Sequence, residues 1–260
     1  MRRRVLSQVQ KLHRRPSGGS SVLSSERQHS RPSSAELTEK GFRGVRFKGT
    51  LGLVGVNAVV HTMWLNAKDF NPCFSPSGAS KGITKAFMYR HFSTNWNSLR
   101  RGRWHTAITS CFSQCEVAHF LLNGIGLCVF GPLLEKSIGG VRMVAGFCLT
   151  GAAGCVAQAF VTHKRHSGDV VLGASGGVYG LFAMMCCRNP GLPMYVFGVW
   201  KVSLSRLLAI SLLIEGIDLC LGRRRSGAVG HLTGLFCGGL LHGQGILLRR
   251  IGPTLRFWKK

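Results

Sequence analysis

A serine set among small residues, Gly173-Ala174-Ser175-Gly176-Gly177, is the first group in this chain suited to chemistry on a carbonyl. His231 supplies a base for it. His119 and Asn123, four positions apart, can donate hydrogen bonds from one helical face. A serine is a weak nucleophile until a neighbouring base takes its proton, and the oxyanion that forms then needs donors aimed at it. The G-x-S-x-G run also fits the elbow of soluble hydrolases, whose partners follow in the order Ser, acid, His. Ser175, Asp218 and His231 satisfy that order. An elbow requires a strand ahead of the serine and a soluble α/β sheet around it. Here a loop holding His and Lys precedes Ser175, and apolar runs surround it.

The elements that must position these groups follow from charge and hydropathy. The 260 residues carry 34 Lys/Arg against 9 Asp/Glu, a formal charge of +25, yet only 17% are charged, where about 25% is usual. Mean hydropathy is still +0.15 despite a polar, basic N-terminus, so the remainder is strongly apolar. This pattern disfavours a disordered chain and an ordinary cytosolic enzyme. Basic clusters such as Arg100-Arg101-Gly102-Arg103, Arg223-Arg224-Arg225 and Arg249-Arg250 bracket apolar runs and are not interleaved with aromatic groups. That is the flanking charge of membrane spans, and no nucleic-acid partner is expected.

Six apolar segments follow residue 48: about 50–66, 117–134, 141–162, 173–187, 203–221 and 229–248. Six spans put both termini on one side, and the loops on that side hold most of the Lys and Arg. The positive-inside rule turns that side to the matrix or cytosol. The segment 67–116 then forms an outer loop too long for an idle connector. Counting back from Arg188, expected at the inner interface, Ser175 is 13 residues away. That is roughly 20 Å of helix in a hydrocarbon core of about 30 Å. The helix starting at Ser175 therefore begins inside the membrane, about 10 Å below the outer face. Non-helical backbone at such depth must be buried in protein or line a wet cavity. Spans two, four and six enter from the same side, so Ser175, His119, Asn123 and His231 share one leaflet. Gly176 and Gly180, with Gly234 and Gly238, form two small-residue seams that allow spans four and six to approach closely.

The start, MRRRVLSQVQKLHRR, puts Val5, Leu6, Val9 and Leu12 on one helical face among arginines, and a Ser/Arg-rich stretch follows. This composition predicts a mitochondrial import segment over 1–48, a membrane domain over 49–250 and a basic tail over 251–260. Most of the ten cysteines lie in apolar segments, where free Cys acts as a small hydrophobe. Cys111, Cys115 and His119, at i, i+4 and i+8, would line one helical face, but no fourth ligand accompanies them, and no metal or other cofactor is expected. Glu215 and Asp218, three apart, are expected to pair with Arg223, Arg224 and Arg225 at a helix end.

Three motifs carry a resemblance: His119-Phe-Leu-Leu-Asn123, Gly173-Ala-Ser175-Gly-Gly-Val-Tyr179-Gly180 and His231-Leu-Thr-Gly234-Leu-Phe-Cys-Gly238, with Gly131-Pro-Leu-Leu-Glu135 ending the second segment. Over about residues 50–250 the chain resembles the rhomboid family of intramembrane serine proteases. The resemblance implies an all-α, polytopic six-transmembrane-helix bundle. It implies a Ser175–His231 dyad, an oxyanion hole from His119, Asn123 and the Ser175 N–H, and Tyr179 packed on His231. Gly176 and Gly234 support that dyad. The expected partners are membrane lipid and single-pass transmembrane substrates, unwound near their outer ends. Two departures fall in the first loop: Trp104-His105 stands for the family's Trp-Arg pair, and Gln114 stands where many members have His. A rhomboid-like scaffold or protein-translocation component without protease activity is the alternative. Such members usually lack the Ser or the His, and both are present here. A transporter, suggested by Glu215 and Asp218, would show paired broken helices in inverted halves, and only the fourth segment is broken.

Overall fold

The structure is a computed structural model, and it describes residues 47–69, 82–165, 170–196, 198–222 and 227–257. Of the expected import segment only Phe47 and Lys48 fall within these, and Lys48 already opens the first helix. The elements in order are α1 (Lys48–Asn66), α2 (Lys85–His91), α3 (Trp96–Arg100), α4 (His105–Thr109), a 3-10 turn (Ser110–Phe112), α5 (Val117–Ile138), α6 (Gly140–Lys164), α7 (Ser175–Arg188), β1 (Pro193–Val196), β2 (Trp200–Ser203), α8 (Leu204–Cys220) and α9 (Ala228–Phe257). Each of the six apolar segments is a helix. The sixth is longer than its hydropathy suggested and continues through Arg249-Arg250 to Phe257.

Two helices, α5 and α6, are long and apolar enough to cross a membrane by length and composition alone. The others are shorter or more broken by polar groups, and the sorting of side chains speaks for them. Leu51 and Val59 of α1, Leu122 and Ile125 of α5, Leu213 of α8 and Phe236 of α9 point outward. Meanwhile Asn57, His61, Asn123, Glu135, Thr150 and Glu215 are buried. Large apolar side chains on the exterior, with polar groups held inside among an apolar core, are the arrangement by which a membrane bundle keeps ionisable groups from lipid.

The 14-residue α7 is the central post: ten of its residues are buried, against α5, α6 and α9. It starts at Ser175, and at about 21 Å it is too short to span, as the count from Arg188 implied. In contrast α8 buries only Leu204 and Glu215.

The ends of these helices are tied by specific bonds. Glu135, near the end of α5, accepts from the backbone N–H of Gly49 and Thr50 and from the Thr50 hydroxyl, each at 2.8 Å. A carboxylate on the free N–H groups of α1 matches the positive end of that helix. Gly139 joins α5 to α6 at φ +87, a backbone position that favours glycine.

The described part of the long loop ahead of α5, residues 82–116, is folded. The side chains of Thr84 and Asn95 cap α2 and α3 by accepting from the N–H of Phe87 and Ser98. Thr94 bridges Val171 through two backbone bonds, which ties the loop to the segment leading into α7. One feature adds to the all-α expectation: the connection after α7 closes as an antiparallel hairpin pairing Pro193 with Ser203 and Val196 with Trp200.

Candidate active site

Ser175 is the first residue of α7, and the chain ahead of it is held by the outer loop. The Gly173 N–H donates to the Ser110 carbonyl at 2.9 Å, and Gly173 itself adopts φ +144. A Cβ there would stand 2.9 Å from His119 Cε1 and 3.5 Å from Ser175 Oγ. The absent side chain thus leaves a point flanked by both groups. Asn123, one turn further along α5, is buried, and its Nδ2 has no hydrogen-bond partner among the described residues.

His231 lies in the first turn of α9, half-buried. The Ser175 hydroxyl stands 2.9 Å from its Nε2. This approach depends on the two glycine seams. A Cβ at Gly234 would strike the carbonyl oxygen of Gly176, and one at Gly238 that of Gly180. Gly154 of α6 meets the Gly230 carbonyl in the same way. The ring of Tyr179, one turn after Ser175, is stacked on the imidazole with centroids 4.4 Å apart and planes 4° from parallel. Gln158 of α6 accepts from the Gly230 N–H at 3.0 Å and so steadies the first turn of α9.

Backbone cannot move aside as a flexible side chain can. Gly234→Ala is therefore expected to push α9 from α7, lowering both the thermal midpoint in detergent and any turnover. Gly216→Ala in α8, with nothing within 4 Å of the added methyl, should leave both intact or raise stability by about 0.5–1 kcal/mol. Side-by-side melts and rate assays read the contrast.

Several expectations change. Glu215 is not directed to a helix end beside Arg223, Arg224 and Arg225, which lie outside the described residues. Its Oε1 accepts from His231 Nδ1 at 2.7 Å and from the Tyr179 hydroxyl at 2.9 Å. The Ser, acid, His order was visible in the sequence, but with Asp218 as the acid. The acid at the histidine is one turn earlier. Cys111, Cys115 and His119 do not share a helical face either, because Cys111 sits in the 3-10 turn, Cys115 in the following loop and His119 in α5. The Cys111 Sγ lies 3.9 Å from that of Cys155.

The two departures in the outer loop find partners. Gln114 is fully buried; its side-chain Nε2 donates to Asn57 Oδ1 at 2.8 Å, and its backbone carbonyl accepts from His61 Nδ1 at 2.8 Å. Together with the bond from Trp64 Nε1 to Ser113 Oγ, this docks the loop on α1 just before α5 begins. His105 instead faces outward, its Nε2 3.4 Å from Nδ1 of His91. Burial and the nearby His105, Arg90 and Arg103 hold His91 below the ordinary histidine range.

Residues 101–248 match the model of the Rhomboid domain, more than half of the chain. The chain belongs to the rhomboid family. Its fold is that family's polytopic all-α membrane bundle. Among curated relatives, RHOMBOID-like protein 12, mitochondrial, of Arabidopsis thaliana is 27% identical over 62% of this chain and 53% of its own length. Rhomboid-like protein 16, chloroplastic, of the same plant is 32% identical over 41% of this chain and 34% of its own. Presenilin-associated rhomboid-like protein A, mitochondrial, of Danio rerio is 24% identical over 81% of this chain and 52% of its own. The rhomboid chain described here thus spans a third to about half the length of these relatives.

Proposed function

We propose that this rhomboid is an intramembrane serine endopeptidase acting on single-pass transmembrane proteins. The 2.9 Å contact between Ser175 Oγ and His231 Nε2, at the start of a helix too short to span, carries the reading. His231 takes the hydroxyl proton as Oγ attacks the scissile carbonyl, then returns it to the leaving amine. The developing oxyanion is held by the Asn123 amide, His119 and the Ser175 N–H. The unpartnered Nδ2 of Asn123 supports this assignment, since a buried donor without a partner costs about 1–3 kcal/mol and is kept where function uses it.

A cavity of about 50 Å³ adjoins the pair, lined by Gly154, Cys155, Gly173, Gly176 and Gly230 among others. It has room for a small side chain, which favours substrates with such a residue beside the scissile bond. Glu215, the charge that would have suggested a transporter, is engaged by the proposed base and Tyr179.

The location proposed is the mitochondrial inner membrane, with both termini in the matrix. Its supports are the Arg-rich, acid-poor start and the mitochondrial names of the Arabidopsis and Danio relatives. Residues 1–48 fused to a soluble reporter should carry it into mitochondria; a reporter left in the cytosol contradicts this. The activity is tested with the full chain in liposomes beside a single-pass helix carrying a small residue near its outer end. Two fragments are expected. An intact substrate at high enzyme-to-substrate ratio would instead support the scaffold or translocation role.

A further inference from the structure

The His231–Glu215 contact goes beyond a two-residue mechanism. We propose that Glu215 is a positioning residue that holds His231 in the tautomer and orientation needed to accept the Ser175 proton, so that the site works as a Ser175–His231–Glu215 triad. This rests on the serine-protease reading.

Around Glu215 on α8, the large side chains of Ile210, Leu213, Ile214 and Ile217 are exposed, as suits a lipid-facing helix. Glu215 is buried, and apart from Leu204 at the start of the helix it is the only residue of α8 that is. A carboxylate among membrane helices is costly unless donors meet it. Its Oε1 receives two, His231 Nδ1 at 2.7 Å and the Tyr179 hydroxyl at 2.9 Å. A general helix-packing role would not require both donors to belong to the proposed base and to the ring stacked on it.

The proton inventory of imidazole points the same way. A neutral ring carries one N–H, on either Nδ1 or Nε2, and an ionised carboxylate only accepts. The contact with Glu215 therefore keeps the proton on Nδ1 and leaves the lone pair of Nε2 facing Ser175 Oγ at 2.9 Å. When Oγ attacks, its proton moves to Nε2, and the imidazolium that forms already has an anion at Nδ1. Glu215 takes no proton; it stabilises the charge and holds the ring. Tyr179 confines the same ring, with its face stacked at 4.4 Å and its hydroxyl on the same oxygen. In chain order Ser175, Glu215 and His231 follow the Ser, acid, His sequence found in unrelated hydrolases, reached here on three separate helices.

The experiment uses the full chain in liposomes and compares wild type with Glu215→Gln, Glu215→Asp and Ser175→Ala. Gln is nearly isosteric, but its amide can donate to Nδ1 and so favour the tautomer whose Nε2 cannot accept. Glu215→Gln is expected to lower kcat at least about 10²-fold and up to about 10⁴-fold with KM and the thermal midpoint unchanged. Glu215→Asp should recover part of that loss. The second measurement is nitrogen NMR of labelled histidine, assigned with His231→Asn. In wild type and in Ser175→Ala the His231 signals should report a proton on Nδ1, and in Glu215→Gln that pattern should be lost. This reading does not depend on turnover, and it decides the matter if the Gln variant proves unstable. Full kcat in a folded Glu215→Gln, or an Nε2-protonated His231 in wild type, overturns the triad. Equal cleavage by wild type and Ser175→Ala would overturn the protease reading instead, and would leave the tautomer measurement standing.

Discussion

Ser175→Ala and His231→Ala each lower kcat for a membrane-helix substrate by about 10⁶-fold, and the double variant is no slower than either single one. In the proposed mechanism the two side chains, 2.9 Å apart, act as one unit: without the hydroxyl there is no nucleophile, and without the imidazole its proton has nowhere to go. What survives is the contribution of substrate positioning and the oxyanion donors. The folding consequences should be small, because α7 is held by its buried residues on α5, α6 and α9 and not by the serine hydroxyl. Cleavage in liposomes and melting in detergent measure both sides. Activity of Ser175→Ala equal to wild type contradicts the mechanism, as does additive loss in the double variant.

Asn123→Ala is the second large effect, a fall in kcat of roughly 10²–10³ from removing one oxyanion donor. The amide is buried beside the site, and its Nδ2 has no partner among the described residues, so in the proposed mechanism its bond is made to charge that exists only during reaction. KM should therefore change little. His119→Ala acts in the same direction, with the ring flanking the empty Cβ position of Gly173 beside Ser175 Oγ. If instead these residues only pin α5 to its neighbours, stability and activity would fall together. A raised KM at unchanged kcat in Asn123→Ala also contradicts the oxyanion role.

The parts of this fold legible in the sequence are those where hydropathy and length have one solution. That α7 falls short of a full span could be counted from Arg188 to Ser175, because a helix of that length cannot reach both faces. The Gly176/Gly234 and Gly180/Gly238 seams followed from their four-residue spacing, and each pair meets through a carbonyl oxygen as the approach of two helices requires. The role of Glu215 was hidden for a physical reason. Ser211, Glu215 and Asp218 recur at i, i+4 and i+7 among apolar residues, so the spacing marks one polar face but does not say which of its two acids meets the histidine. The folded stretch 82–116 was partly readable, since Thr84 and Asn95 are ordinary N-cap residues ahead of α2 and α3. Its docking was not, because the bond from Gln114 to Asn57 joins groups 57 positions apart. The hairpin at Pro193–Ser203 falls in a stretch read only as the connection after span four.

The central claim is that Ser175 is an activated nucleophile within the membrane domain. The most direct measurement is reaction of the reconstituted full chain with a serine-reactive phosphonate, followed by mass-spectrometric location of the adduct. The geometry predicts one adduct, on Ser175, formed by wild type and absent from both Ser175→Ala and His231→Ala. Wild-type protein that stays unmodified, or that is labelled to the same extent when Ser175 is Ala, would contradict it.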